Sequence, residues 1–284
     1  MIGTGVLTAS GFTVALVGSN QLMLVLWVVG GIMAVCGALS LAELAAALPE
    51  SGGDSVYLRE AYGPLAGFLS GWVSFLIGFG GPIAASAAAA AKYLLAPAGL
   101  EDAAAKPAEL ALATALIVGL AVIHSLGRQA TIRTQVGMTV VKLAILSSLA
   151  LAGLAAGAGR WGNLADRPPL SAGLVVAMAS SLVYVSYAYT GWNAAAYVAG
   201  ETAEPQRRLP RAILLGTGIV TALYLALNVT YALALSAADV RGIVAERGLD
   251  AVAPIAQLAA GRLFGPRVAA PLAMAVGFTL LASV

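Results

Sequence analysis

The sequence predicts an all-α polytopic membrane protein, and three observations predict it. Charged residues make up only 10% of the 284-residue chain, whereas a soluble domain carries roughly a quarter. Hydrophobic residues make up 60%, and the mean hydropathy is +0.92. Apolar runs recur from end to end, continuous and rich in Ala and Leu rather than alternating. Such runs favour helices over strands, because only helices or closed barrels satisfy every backbone group in lipid. The same arithmetic excludes a soluble globule and a disordered chain. A net charge of +2 gives no footprint for nucleic acid. With one cysteine, Cys36, neither an intramolecular disulfide nor a cysteine metal site is expected.

At roughly 20 residues per span plus a loop, the length predicts about eight spans. The apolar segments fall at 2–18, 22–47, 64–95, 108–124, 135–156, 172–199 and 210–235, and the last runs from Pro266 to Val284. Polar stretches separate them at 48–63, 97–107, 157–171, 200–211 and 236–266. In the last of these, Leu249, Val252, Ile255, Ala256 and Ala259 share one helical face. A helix lying on the membrane surface and a solvent-exposed loop helix both fit that pattern. With the 48–63 loop cytoplasmic, Lys and Arg in short loops favour the inside: Arg59, Arg128, Arg133, Arg207, Arg208 and Arg211 against Lys92, Lys106, Arg160 and Arg167. The long 236–266 stretch reverses that excess, so charge alone does not fix the orientation.

The informative places are those where an apolar span is interrupted. An unwound turn exposes N–H and C=O groups at membrane depth, which is tolerable only beside a cavity, and those groups can then hold a charged solute. Ile2-Gly3-Thr4-Gly5 is one such place. The helix that follows presents its N-terminal N–H groups and positive dipole end, suited to a carboxylate. Tyr189-Thr190-Gly191-Trp192-Asn193, inside the sixth span, is the second. The half-helix before it aims free carbonyls at its end, suited to an ammonium group. Close packing is the ordinary reading of each glycine taken singly. The two breaks fall in the first and sixth spans, which correspond if five spans make one repeat, and paired interruptions point to a transporter's binding site. A third irregularity, Gly78, Gly80, Gly81 and Pro82, predicts a kinked third span. Gly67 and Gly71 form a small-xxx-small pair fit for close helix approach.

Lys142 is a cation amid Thr139, Val140, Val141, Leu143 and Ala144. Two readings stand: it snorkels to the surface, or it has a function inside the membrane. In the second, its charge takes the place of a coupling cation and bridges the broken first helix to a neighbour. Glu43 reads as a cap at the edge of the second span. Enzyme chemistry and cofactors are not expected. The sole histidine, His124, has no second ligand at metal spacing, and neither a G-x-S-x-G elbow nor a P-loop occurs.

The stretch LSLAELAAALPESGGDSVYLREAYGPLAGFLSGW at 39–72 closely resembles the second helix, first loop and third helix of amino acid permeases of the amino acid–polyamine–organocation superfamily. IGTG at 2–5 resembles that family's unwound first-helix motif, and YTGWNAAAYVAGE at 189–201 with P-x-x-x-LPRAI at 205–213 resembles its sixth helix and the loop beyond. The resemblance implies a transporter fold of two inverted five-helix repeats. The first would cover 1–156, and a partial second repeat of helices 6–8 would cover 172–284. It implies secondary active transport of amino acids or related amines by alternating access, by exchange or proton coupling and without sodium, in the plasma (inner) membrane. The lipid bilayer, an amino acid or amine and, in one mode, protons are the implied partners. It implies that Gly3, Thr4 and Gly5 hold the substrate carboxylate. Ile2 and the carbonyls near Tyr187, Ala188 and Thr190, beside Gly191, would hold the amino group. Tyr187 matches an aromatic position that closes over substrate, and Lys142 matches a lysine standing near the place of a sodium ion. The 48–63 and 200–211 loops would be cytoplasmic.

Three departures bear on these expectations. Ser55 stands where the family commonly has an aromatic. The chain starts at the first break and stops in the eighth helix, so it reads as a permease truncated at both ends. The alternative readings are a non-transporting sensor or scaffold with the same fold, and an inactive permease fragment. No acidic side chain lies in the two break segments, which disfavours a strongly cationic cargo, and small Ala188 and Gly191 leave room for a bulky neutral one.

Overall fold

The computed structural model describes every residue except Met1, 99–101, 156–158 and Arg167, and the backbone alone at Pro97, Asp102, Ala103, Pro266, Ala269 and Ala270. The expected repeat boundary at 156, part of the 97–107 linker and Arg167 of the outer-loop count lie outside the described residues. Every regular element among the described residues is helical.

In chain order, short α1 (Gly5–Val17) precedes α2 (Asn20–Ala47). The polar helix α3 (Asp54–Tyr62) leads into α4 (Pro64–Val73), a π-helical turn at Ser74–Gly80, and α5 (Gly81–Leu95). Then come α6 (Asp102–Ser125) and α7 (Arg128–Ala155). α8 (Ala172–Tyr189) is followed, across a break, by a 3-10 segment at Trp192–Glu201. α9 (Pro205–Ala234), α10 (Ala237–Arg247), α11 (Ile255–Phe264) and α12 (Ala269–Leu281) complete the order. Six runs are long and apolar enough to cross a membrane: α2, Pro64–Leu95, Ala104–Ser125, α7, Ala172–Glu201 and α9. Gly5–Val17 and Pro271–Leu281 are apolar but shorter, and with them the eight predicted segments are accounted for. The 28 residues of α2 reach about 42 Å at the α-helical rise, more than the hydrocarbon thickness.

Local chemistry sets the ends. Gly18 closes α1 in the left-handed region, φ 66°, with its N–H donating to the Val14 carbonyl. Ser19 then caps α2 by accepting from the Leu22 N–H, and Ser171 caps α8 in the same way through Leu174. Ser236 and Asp239 form a reciprocal capping box at α10. The hydroxyl and N–H of Ser236 hold the Asp239 carboxyl below its ordinary range. The kink predicted at Gly78–Pro82 takes the form of the π turn. Pro82 falls in the first turn of α5, where a missing N–H costs little.

The helices approach each other through small residues, the packing mode open to a bundle in lipid. A Cβ on Gly30 would lie 2.5 Å from Val185 Cγ1 of α8, and one on Gly31 would lie 2.7 Å from Thr221 Cγ2 of α9. α2 therefore fits between α8 and α9 only as glycine. The Gly67/Gly71 pair does not serve a neighbouring span. A Cβ on Gly67 would meet Arg59 Cβ at 2.7 Å and the Ser55 carbonyl at 2.9 Å, so the close approach is to α3. The apolar face in 236–266 lies neither in lipid nor in solvent. Val252, Ile255, Ala256, Ala259 and Ala260 are buried in the main core with residues of α1, α9 and α12, while Leu249 is exposed. On many outward positions, by contrast, large apolar side chains such as Ile77, Leu65 and Val183 are exposed, as a lipid-facing surface requires.

At the end of the bundle where α1 turns into α2, one amide ties the connections together. Asn20, buried, donates from Nδ2 to the Leu235 carbonyl at 2.8 Å and to the Asn163 carbonyl at 3.2 Å. Asn163 in turn donates to the carbonyls of Ala232 and Leu233, both at 3.1 Å. Asn20→Ala leaves these carbonyls short of a donor and is expected to cost about 1–3 kcal/mol. Thermal unfolding of the purified protein in detergent measures this, and an unchanged midpoint would remove Asn20 from the framework.

Candidate substrate site

Ile2, Gly3 and Thr4 precede the first helical residue, Gly5. The N–H groups of Gly3, Thr4, Gly5 and Val6 have no backbone acceptor among the described residues. Leu7 N–H is the first to find one, the Thr4 carbonyl at 3.0 Å. The Thr8 hydroxyl donates to that same carbonyl at 3.0 Å. This is the donor-rich end that any helix start presents. A Cβ on Gly5 would lie 2.5 Å from Ala188 Cα, so α1 begins hard against the end of α8. Gly3 is open by comparison, with Ser283 Oγ, at 3.8 Å, as its nearest neighbour.

α8 stops because Thr190 turns extended, ψ 160°, and Gly191 takes φ 99°, a conformation glycine adopts without steric cost. The carbonyls released there are largely engaged. Tyr187 C=O accepts from the Thr190 hydroxyl at 2.7 Å and the Thr190 N–H at 3.1 Å. Ala188 C=O accepts from the Tyr224 hydroxyl at 3.2 Å. Ala188 is buried, and its backbone packs directly on Gly5. The Tyr187 side chain is half exposed. Beneath the break, Tyr189 is buried between Trp27 and Tyr224, with ring centroids 5.5 and 5.1 Å away, and its hydroxyl donates to the Trp27 carbonyl at 3.2 Å. The last turn of α8 is thereby fixed to α2 and α9.

Lys142 does not snorkel. It is 5% exposed, near the middle of α7. Its ammonium donates to the Ile2 carbonyl at 2.6 Å and to Ser283 Oγ at 2.8 Å, and Ser283 donates to the same Ile2 carbonyl at 2.9 Å. The lysine thus joins α7 to the residues before α1 and to the residues after α12. No described carboxylate pairs with it, so carbonyl and hydroxyl dipoles compensate the charge. The Ile2 carbonyl is shared between two donors.

The structure therefore brings Gly5 to Ala188, and Ile2 to Lys142. Ser283 and Tyr224 complete the arrangement and were not singled out by the sequence. Nothing marks Ser283 in its apolar run. Tyr224 carried a weak signal, since Asn228 stands four residues on in the same aliphatic span. Asn228, buried, accepts from Ser10 of α1 at 2.6 Å. Glu43 and His124 are exposed at helix ends, apart from this arrangement. A groove of about 400 Å³ lined by Ser55, Gly67, Phe68, Trp72 and Phe75 lies between α3 and α4, and none of these residues belongs to the breaks.

A multi-span helical membrane protein with two adjoining helix breaks and a buried lysine beside one of them is the class these features define. Comparison with known proteins places it more narrowly. The family model for amino acid permeases matches residues 1–284, and the chain belongs to that family. It is 31% identical over 225 residues to the human b(0,+)-type amino acid transporter 1, covering 76% of this chain and 45% of that protein. It is 33% identical over 246 residues to the human large neutral amino acids transporter small subunit 2, covering 83% and 45%. It is 29% identical over 235 residues to the human cystine/glutamate transporter, covering 81% and 46%. The chain spans about half the length of the curated relatives it matches.

The two glycines before and at the start of α1 are expected to respond differently to one methyl group. Gly5→Ala overpacks the Ala188 backbone and should cost about 1–3 kcal/mol. Gly3→Ala meets open space and should stay within about 0.5 kcal/mol of the parent. Paired melting curves measure both, and equal effects would contradict the close contact at Gly5.

Proposed function

We propose that the protein moves amino acids or related amines across the plasma (inner) membrane by alternating access, independently of sodium, by exchange or with proton coupling. Membership of the amino acid permease family supports this, as do relatives named as amino acid transporters and as a cystine/glutamate transporter. One observation carries the reading at the level of chemistry. The donor end of α1 and the acceptor end of α8 lie against each other at Gly5 and Ala188. A zwitterion carries one group for each end: a carboxylate for N–H donors and an ammonium for carbonyls. In this proposal Gly3, Thr4 and Gly5 take the carboxylate. The carbonyls of Ile2, Tyr187, Ala188 and Thr190 line the ammonium side, with Gly191 providing the turn and Tyr187 the aromatic cover. An incoming ammonium has to share those carbonyls with Tyr224, Thr190 and Lys142, so binding and local rearrangement are coupled.

Lys142 supplies a fixed positive charge to the Ile2 carbonyl and Ser283 hydroxyl, the kind of oxygen pair that would otherwise suit a small cation. We assign residues 1–156 to one repeat and 172–284 to part of a second, inverted one. The 48–63 and 200–211 loops are assigned to the cytoplasm.

Reconstitution into vesicles tests the reading. Uptake of radiolabelled neutral amino acids should be unchanged when choline replaces sodium. Acceleration by unlabelled substrate inside marks exchange, and acceleration by an inward proton gradient marks coupling. Strict sodium dependence sinks the role of Lys142, and absence of flux for every amino acid and amine sinks the transport reading. Lys142→Ala removes a charged hydrogen bond and should slow uptake by about tenfold or more.

A further inference from the structure

The SGG motif at 51–53, the π turn at 74–80 and the long 3-10 segment at 192–201 are unused by the substrate site, and the structure brings them to one place. Asp54 Oδ2 accepts from Asn193 Nδ2 at 3.0 Å and from the Tyr197 hydroxyl at 3.2 Å. With its proton given to Asp54, Tyr197 Oη accepts from Ser74 Oγ at 2.9 Å. The Gly52 N–H donates to the Tyr197 carbonyl at 3.2 Å. The Tyr197 ring meets Phe79 of the π turn edge-on, with centroids 5.1 Å apart. A glycine on each side lets the loop and the segment lie this close. Gly53 has φ 53°, and a Cβ there would lie 2.7 Å from the Tyr197 ring; a Cβ on Gly200 would lie 2.8 Å from Ser51 Oγ.

We propose that Asp54 is a positioning residue: its carboxylate holds the Trp192–Glu201 segment against the loop and the π turn, and its release is the step that opens the bundle on that side. The proposal rests on the carrier reading above. Three observations carry it. First, the two sides of the break are held by different means. The end of α8 is locked by buried aromatics, whereas Trp192–Glu201 packs through Trp192 against Gly37 and, beyond it, through Ala196 and Ala199, buried beside Ala38, Ala42, Ala45 and Val56. Beyond Trp192 the buried apolar contacts of the segment are small, so the polar contacts set the closed geometry there. Second, the Trp192–Glu201 segment is not one helix: its 3-10 turns are interrupted at Val198, φ −107° and ψ 19°, and 3-10 hydrogen bonds are poor. Third, Asp54 has no ion-pair partner among the described residues, since the neighbouring Arg59 is taken by Glu50 and Glu60. Its charge is spent on the two donors of the segment, which makes both bonds charge-assisted.

The test places a cysteine at Ala196, in a Cys36→Ser background, in the purified protein, and follows its reaction with a maleimide. Asp54→Ala should raise the labelling rate about tenfold or more, the factor one charged hydrogen bond is worth. Asp54→Glu should restore part of the protection, and Tyr197→Phe, which removes only the hydroxyl, should give a smaller rise. In exchange assays Asp54→Ala should change the maximal rate more than the substrate concentration at half-saturation. An unchanged labelling rate in well-folded Asp54→Ala protein overturns the proposal, as does an equal rise in the control Glu60→Ala. If Asp54→Ala fails to fold, Tyr197→Phe and Asn193→Ala decide, and protection unchanged in both overturns it. Labelling needs no flux, so a protein that transports nothing would defeat the carrier reading while leaving this measurement to stand separately.

Discussion

A backbone group released from a helix inside hydrocarbon has no water to turn to, and much of this molecule follows from that constraint. Each break is surrounded by the partners it needs. The Ile2 carbonyl has the Lys142 ammonium and the Ser283 hydroxyl. The Tyr187 carbonyl has the Thr190 hydroxyl, and the Ala188 carbonyl has Tyr224. These donors come from α7, α9 and the residues around α8 and α12, so satisfying two short interruptions ties together helices distant in sequence. The cost of a lone buried charge is offset in the same stroke, because Lys142 is hydrogen-bonded at both of its contacts.

Packing supplies the complementary half. α1 and α2 meet α8 and α9 where one side of each contact has been reduced to hydrogen, at Gly5 with Ala188, at Gly30 with Val185 and at Gly31 with Thr221. The bulky residues of the core, Trp27, Tyr189 and Tyr224, cluster immediately beside these contacts. Rigid aromatic anchoring and close backbone approach therefore share one region, and the breaks are cut into it rather than into a loose periphery. The segment beyond Gly191 reaches this region through Trp192, which also packs on the smaller cluster around Ala38 and Ala196.

The helical membrane class, the eight apolar segments and the interruption near Gly191 were legible because each is written in local composition: long Ala/Leu runs, and glycine among aromatics. Lys142 was legible as an anomaly for the same reason. Its partners were not. Ser283 lies 141 positions away, and a serine in a membrane helix satisfies itself on its own backbone as readily as it reaches a neighbour. The face on α11 was legible as amphipathic, but an apolar stripe does not say whether lipid or protein covers it, and here protein does. The Gly67/Gly71 spacing was equally ambiguous, because small-xxx-small reports a close neighbour without naming it. Asp54 went unnoticed inside its motif, since the carboxylate acquires its two donors only when a segment about 140 residues downstream folds back onto it.

The 3-10 form of Trp192–Glu201 also stores length. Each residue rises about 2.0 Å in a 3-10 helix and about 1.5 Å in an α-helix. Over the six residues from Trp192 to Tyr197, before the kink at Val198, the difference comes to about 3 Å, roughly half an α-helical pitch. A relaxation to α geometry would therefore shorten this part of the segment by that distance, between the turn at Gly191 and the kink at Val198. The segment is in that sense a short telescoping strut, and its extension is coupled to the winding of its own backbone.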